Sequence, residues 1–219
     1  MQYQDDIIDK YHMPNTYMNP LEAIRHLSKV DHRFISLIDI HGPPDFHRTR
    51  NTFKSLVHTI IYQQLSGKVA SVIYKRFINL FPTSHFPTPK KVRQLSIVKL
   101  QTAGLSIQKA TTIHELSDQY IQGHIQPRRF RYMSTDEITH VLTQVKGVGP
   151  WTASIFLMFG LNYPDILPTG DLGIRKGVQK LCNLSQMPEH KTVLRIGEPW
   201  RPFRTAASWY LWRLLDTQP

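Results

Sequence analysis

The sequence predicts an all-α fold, and three observations lead there. Apolar residues recur every three to four positions along most of the chain, capping residues stand where these patterns begin, and glycine or proline stands where they end. Runs such as Thr59-Ile60-Ile61-Tyr62 are apolar enough for a strand, but their flanks keep the helical period and hairpin signals are absent. About ten helices are expected.

In order along the chain, Asn19-Pro20 reads as an N-cap with proline at the first helical position, before Leu21, Ile24 and Leu27. Asp31 is placed to cap a second helix carrying Phe34, Leu37, Ile38 and Ile40, stopped at His41-Gly42-Pro43. A third starts near Asn51 and runs to a polar break at Gln63-Gln64-Leu65-Ser66. Ser66 then caps a helix bearing Val69, Val72, Ile73, Phe77 and Leu80. Residues 81–89 hold three prolines and read as a loop. Short helices are expected over 90–95 and 97–102, and a longer one from the Ser106 cap to Gly123. The stretch 126–132, with Arg128, Arg129 and Arg131, reads as a basic loop.

Composition narrows the class. A chain of 219 residues with 41% hydrophobic content buries one sizeable core or two small lobes. The formal net charge of +11 favours a polyanionic partner, nucleic acid or an anionic surface. The single cysteine, Cys182, excludes an internal disulfide and an all-cysteine metal cluster. The eleven histidines are scattered, without metal-ligand spacing. Residues 1–12 carry acids and no apolar run, unlike a secretory signal, and no stretch is apolar enough to span a membrane. A soluble, intracellular, reduced protein is expected.

Ser134-Thr135-Asp136-Glu137 is a capping box, and the helix it opens carries Ile138, Val141, Leu142 and Val145. Lys146-Gly147-Val148-Gly149-Pro150 follows, and a second helix starts at Trp151. The glycines permit a turn too tight for side chains and a close backbone approach to another surface. Such a turn aims N–H groups outward from a helix N-terminus, which suits a phosphate and ignores base sequence. Lys146 adds charge beside it. An ordinary glycine turn is the competing reading.

The segment 145–153 closely resembles the hairpin of the helix-hairpin-helix (HhH-GPD) DNA glycosylases. The aspartate of that family is matched by Asp171 in Leu167-Pro168-Thr169-Gly170-Asp171-Leu172-Gly173, 24 residues beyond Gly147. Ala103–Ala110 and Pro199–Trp212 are similar to the alkyladenine (AlkA-type, 3-methyladenine DNA glycosylase II) branch. The resemblance spans about residues 20–215. Members that also cleave the backbone carry a lysine two residues after the second hairpin glycine; here Trp151 stands there and cannot form a Schiff base. Iron–sulfur members need four cysteines. The resemblance therefore implies a monofunctional base-excision glycosylase with no required cofactor.

Its implications can be placed residue by residue. Cleavage of an N-glycosidic bond builds positive charge on the sugar, and a fixed carboxylate stabilises it in a water-poor site, so Asp171 is the expected catalytic group. Asp171 also fits an N-cap, since 172–181 reads as a helix, and the two roles are compatible. Trp151 and Trp212 fall on pocket-aromatic positions, where a cationic base would stack, and Tyr62 is an added candidate. Core packing is the competing reading for all three. Other pocket-aromatic positions hold Leu172 and Ile155, so a less aromatic pocket is expected.

The polar break matches the family's wedge loop, with Gln64 and then Leu65 as candidates to fill the gap left by a flipped base, and Gln63 beside them. Lys146, Gly147, Val148 and Gly149 are the expected phosphate contacts. By resemblance, carbonyls of Thr143, Val145 and Val148 would hold a monovalent cation, Na+ or K+.

Two lobes are expected: 1–49 with 166–219, and 50–165 carrying the hairpin (134–160), with Asp171 facing the hairpin across a cleft. The expected reaction is release of alkylated purines, 3-methyladenine among them, from double-stranded DNA by a monomer. The compartment would be the bacterial nucleoid or the nucleus. The alternatives are a non-catalytic binder of abasic or distorted DNA and a bare structural hairpin protein.

Overall fold

The computed structural model describes residues 17–46, 49–82 and 85–216. The N-terminal segment 1–12 and part of the 81–89 loop lie outside them. Among the described residues there are twelve α-helices and no strand, somewhat more helices than the periodicity predicts.

The chain divides into two compact units, Met1–Asn15 with Thr49–Phe156, and Thr16–Arg48 with Leu157–Pro219. The C-terminal segment of the second unit begins at Leu157, nine residues before the 166 that sequence suggests. Side-chain and backbone ties explain this. Tyr163 N donates to Leu157 O at 3.0 Å, and Thr205 N to Pro164 O at 2.9 Å. Thr205 Oγ1 donates to Tyr163 O at 2.7 Å and accepts from Ile166 N at 3.0 Å. Arg204 Nε donates to Asp165 Oδ1 at 2.6 Å. The stretch 157–165 is thus stitched to a helix of its own unit, a long-range match that no local pattern announces.

In the second unit, α1 (Pro20–Val30) starts on Asn19, whose side chain accepts from Leu21 N and Glu22 N. Asp31 caps a 3-10 turn, His32–Phe34, which runs on into α2 (Ile35–His41). Its Oδ2 also accepts from the buried Trp200 indole at 2.9 Å, and Trp200 stands edge-on to Phe34. Burial raises the Asp31 pKa most, yet the hydrogen bonds from Arg33 and Trp200 outweigh it and hold the carboxyl below its ordinary value. The remaining helices of this unit lie near the C-terminus and are taken up with the site below.

The first unit holds α3 (Thr52–Tyr62), α4 (Gly67–Asn79), α5 (Pro89–Gln94), α6 (Ile97–Gln101), α7 (Ile107–Ile121), α8 (Thr135–Thr143) and α9 (Pro150–Ile155). Serine or threonine caps at 66, 88, 96, 106 and 134 start five of them. The α7 helix is the hub, packed by α3, α5 and α6 around buried Leu56, Ile60, Leu100, Ile113 and Leu116. The basic stretch is not a loop: Pro127–Tyr132 forms a 3-10 turn pinned by buried Phe130, with the Arg131 guanidinium over the exposed Tyr132 ring.

Candidate active site and DNA-binding elements

In the second unit the chain turns at 167–170 into α10 (Leu172–Leu181), with Asp171 N donating to Pro168 O at 2.9 Å. Asp171 is the N-cap of this helix, its Oδ1 accepting from Ile174 N at 2.8 Å. The same Oδ1 accepts from the indole Nε1 of Trp212 at 2.9 Å. Both donors come from rigid elements, the first turn of α10 and the middle of α12 (Arg204–Asp216). The carboxylate is therefore fixed in orientation at a half-buried position.

Close helix packing makes this contact possible. A Cβ on Gly173 would lie 2.8 Å from Trp212 Cδ1 and 3.0 Å from Asp171 Oδ1. One turn on, a Cβ on Gly177 would lie 2.7 Å from the Leu211 carbonyl. The two glycines let α10 press against α12, and it is at Gly173 that this closeness brings the indole to the carboxylate. Sequence reading quoted Gly173 without giving it this part.

An aromatic ring that the helical period does not announce stands beside Trp212. A π-helical turn, Phe156–Gly160, follows α9, and in it Phe159 is 40% exposed and stacks on Trp212 at 6.0 Å and 27°. Leu172 is itself exposed beside Asp171. The extra residue of a π turn shifts side-chain phase, so the helical period gave no sign of Phe159. The Asp171 loop is also bordered by α11 (His190–Ile196), where His190 Nδ1 lies 3.4 Å from Thr169 Oγ1.

In the first unit, the capping box of α8 is complete: Ser134 Oγ accepts from Glu137 N, and Glu137 Oε2 from Ser134 N. The hairpin follows. Gly147 has φ +92°, and a Cβ there would lie 2.0 Å from Thr112 Oγ1 of α7, so both conformation and space demand glycine. Gly149 differs, with an ordinary φ of −96° and no atom within 4 Å of a built Cβ.

Val148 needs correcting as an expected phosphate contact. Its N–H donates to Val145 O at 2.9 Å and its side chain is buried, so it anchors the hairpin from within. Lys146, Gly147 and Gly149 remain at the surface or partly so, and Trp151 is half-buried on the first turn of α9.

The turn between α3 and α4 carries the wedge candidates. Gln64 is exposed with φ +53°, a left-handed backbone that only a few per cent of non-glycine residues adopt. Leu65 is also exposed, whereas Gln63 is half-buried, its Nε2 donating to Thr152 Oγ1 of α9 at 2.7 Å. Tyr62 stacks on His58 with ring centres 3.9 Å apart, so one of its faces is taken within the unit. Among the described residues no group of three His, Cys, Asp or Glu could hold a metal, and no helix is long and apolar enough to cross a membrane.

Residues 57–202 match the model of the HhH-GPD superfamily of base excision DNA repair proteins. The chain belongs to this superfamily. The DNA-3-methyladenine glycosylase 1 of Schizosaccharomyces pombe is 33% identical over 192 residues, covering 86% of this chain and 84% of its own. A solved structure of the S. pombe 3-methyladenine DNA glycosylase Mag1 with abasic DNA has a TM-score of 0.81 at 33% identity, covering 88% and 95% of the two chains. The DNA-3-methyladenine glycosidase of Bacillus halodurans follows at 31% identity and a TM-score of 0.76, covering 89% of each. In HhH-GPD terms, α8, the 144–149 turn and α9 are the hairpin, and Asp171 opens α10.

Proposed function

We propose that this protein is a monofunctional DNA glycosylase that hydrolyses the N-glycosidic bond of alkylated purines of the 3-methyladenine type in duplex DNA. The observation that carries this reading is the pinned carboxylate: Asp171 Oδ1 held by Ile174 N and Trp212 Nε1 at the head of a helix. Superfamily membership and the activity in the names of the relatives support it.

The chemistry follows from that placement. As the bond to a ring-alkylated base lengthens, charge accumulates on the sugar. A carboxylate whose orientation is already fixed stabilises that charge without reorganising. Asp171 also orients the incoming water. The departing base is already cationic and needs no strong acid. Stacking of that base on Trp212 and Phe159 adds an aromatic–cation attraction. Trp151 holds the place of a Schiff-base lysine, which favours hydrolysis without strand cleavage.

DNA is gripped at the hairpin through Lys146 and the N–H groups of Gly147 and Gly149, contacts to phosphate that are indifferent to sequence. By resemblance to the family, the carbonyls of Thr143, Val145 and Val148, at the end of α8 and in the hairpin, would hold Na+ or K+, the Val145 oxygen doing so while it also accepts from Val148 N. Such an ion would add positive charge beside the phosphate. Gln64 and Leu65 fill the space of the extruded base. The protein works as a monomer wherever the genome lies.

Mass spectrometry of bases freed from methylated duplex DNA tests the reading. Release of 3-methyladenine above the no-enzyme rate, without strand cleavage, is expected. A protein that shifts abasic or methylated duplex in a gel yet frees no base is a non-catalytic binder, and the proposal then fails.

A further inference from the structure

The turn carrying Gln64 is held from outside more than by its own backbone. Its internal hydrogen bonds, Gln63 N to Ile60 O and Leu65 N to Tyr62 O, are both 3.4 Å long. Against these, Lys109 Nζ on α7 donates to Ile61 O and to Gln63 O, each at 2.8 Å. These are charge-assisted bonds to the carbonyl end of α3, where the helix dipole also favours a cation. Gln63 is tied a second time, to Thr152 on α9. Between these ties Gln64 keeps its left-handed backbone with an exposed side chain. Lys109 itself is half-buried, and burial lowers the pKa of its ammonium.

We infer that Lys109 is a positioning residue for base extrusion: its ammonium clamps the 63–65 turn so that Gln64 and Leu65 are presented to the duplex already ordered. This rests on the reading of that turn as the wedge. A preformed turn spends less ordering entropy at the moment of insertion, so the gain should appear at gapped or abasic sites, where the wedge enters, rather than on intact duplex.

The test measures affinity for duplex carrying a tetrahydrofuran abasic site and for the same duplex intact, across a salt series, with thermal melts alongside. Lys109→Met is expected to lower the abasic-to-intact preference about tenfold while leaving the salt slope of binding to intact DNA unchanged. Lys109→Arg, which still donates to two carbonyls, should restore most of that preference. Should Lys109→Met fail to fold, Lys109→Gln takes its place with the same expected direction. A preference equal to wild type in the folded variant overturns the proposal. So does a salt slope reduced by about 0.9 with the preference intact, since that marks an ordinary phosphate contact. Gln64→Ala and Leu65→Ala keep the two claims separate. If they lower the preference and Lys109→Met does not, the wedge stands and Lys109 falls; if neither lowers it, the wedge reading falls and takes the proposal with it.

Discussion

The indole N–H of Trp212 donates to Oδ1 of Asp171 at 2.9 Å, across 41 residues of sequence. Removing this donor while keeping a ring separates its polar part from its stacking part. A hydrogen bond to a charged group is worth about 1.5–3 kcal/mol. Trp212→Phe should therefore slow single-turnover base release by about tenfold or more, with the folded state retained in a thermal melt. A release rate within twofold of wild type would show that the indole N–H has no part in orienting the carboxylate.

Gly173 and Gly177 offer a paired comparison. Alanine at either meets atoms under 3.0 Å away, and such overpacking costs about 1–3 kcal/mol. At Gly173 the obstructing atoms are Trp212 and Asp171, so Gly173→Ala should lose release activity even per folded molecule. At Gly177 the obstruction is the Leu211 backbone, so Gly177→Ala should lower the melting temperature but spare the activity of what remains folded. Equal activity losses per folded molecule would contradict this division.

Gly147→Ala places a methyl against Thr112 at a backbone angle that alanine resists. The hairpin must move, and duplex affinity is expected to fall at least tenfold by fluorescence anisotropy. Gly149→Ala finds open space within the chain, so any loss of affinity there reports contact with DNA itself.

His114 is buried on α7, and burial first, then nearby Arg93, hold its pKa below the ordinary histidine value. The unfolded chain therefore takes up this proton first as pH falls. Stability from this group is complete above the unfolded value near 6.5 and is lost between there and the lower folded value. Urea midpoints should drop between pH 7.5 and 5.5, and His114→Gln should flatten that slope. An unchanged slope would assign the acid sensitivity elsewhere.

Local signals were legible where one residue acts on its own helix. Asn19, Ser66, Ser106, Ser134 and Asp171 all cap the helices that their positions announce. The layout of the candidate site was legible in part, since the glycine turn and the Asp171 cap stand where the sequence puts them. Contacts between distant segments were not. Nothing near Trp212 marks Gly173 as its partner, and nothing near Lys109 marks the carbonyls of Ile61 and Gln63. Phe159 was hidden by the π-helical turn, and Val148 was misjudged because its N–H is used inside the hairpin.

The central claim is that Asp171 supplies the chemistry, and its side-chain amide is the sharpest probe. Asp171→Asn removes the charge while an oxygen can still accept from Ile174 N and Trp212 Nε1. Single-turnover release of 3-methyladenine from methylated duplex, with DNA affinity measured in parallel, should fall at least a hundredfold with affinity within a few-fold of wild type. Release at a near wild-type rate by a folded, DNA-binding Asp171→Asn protein would contradict the account.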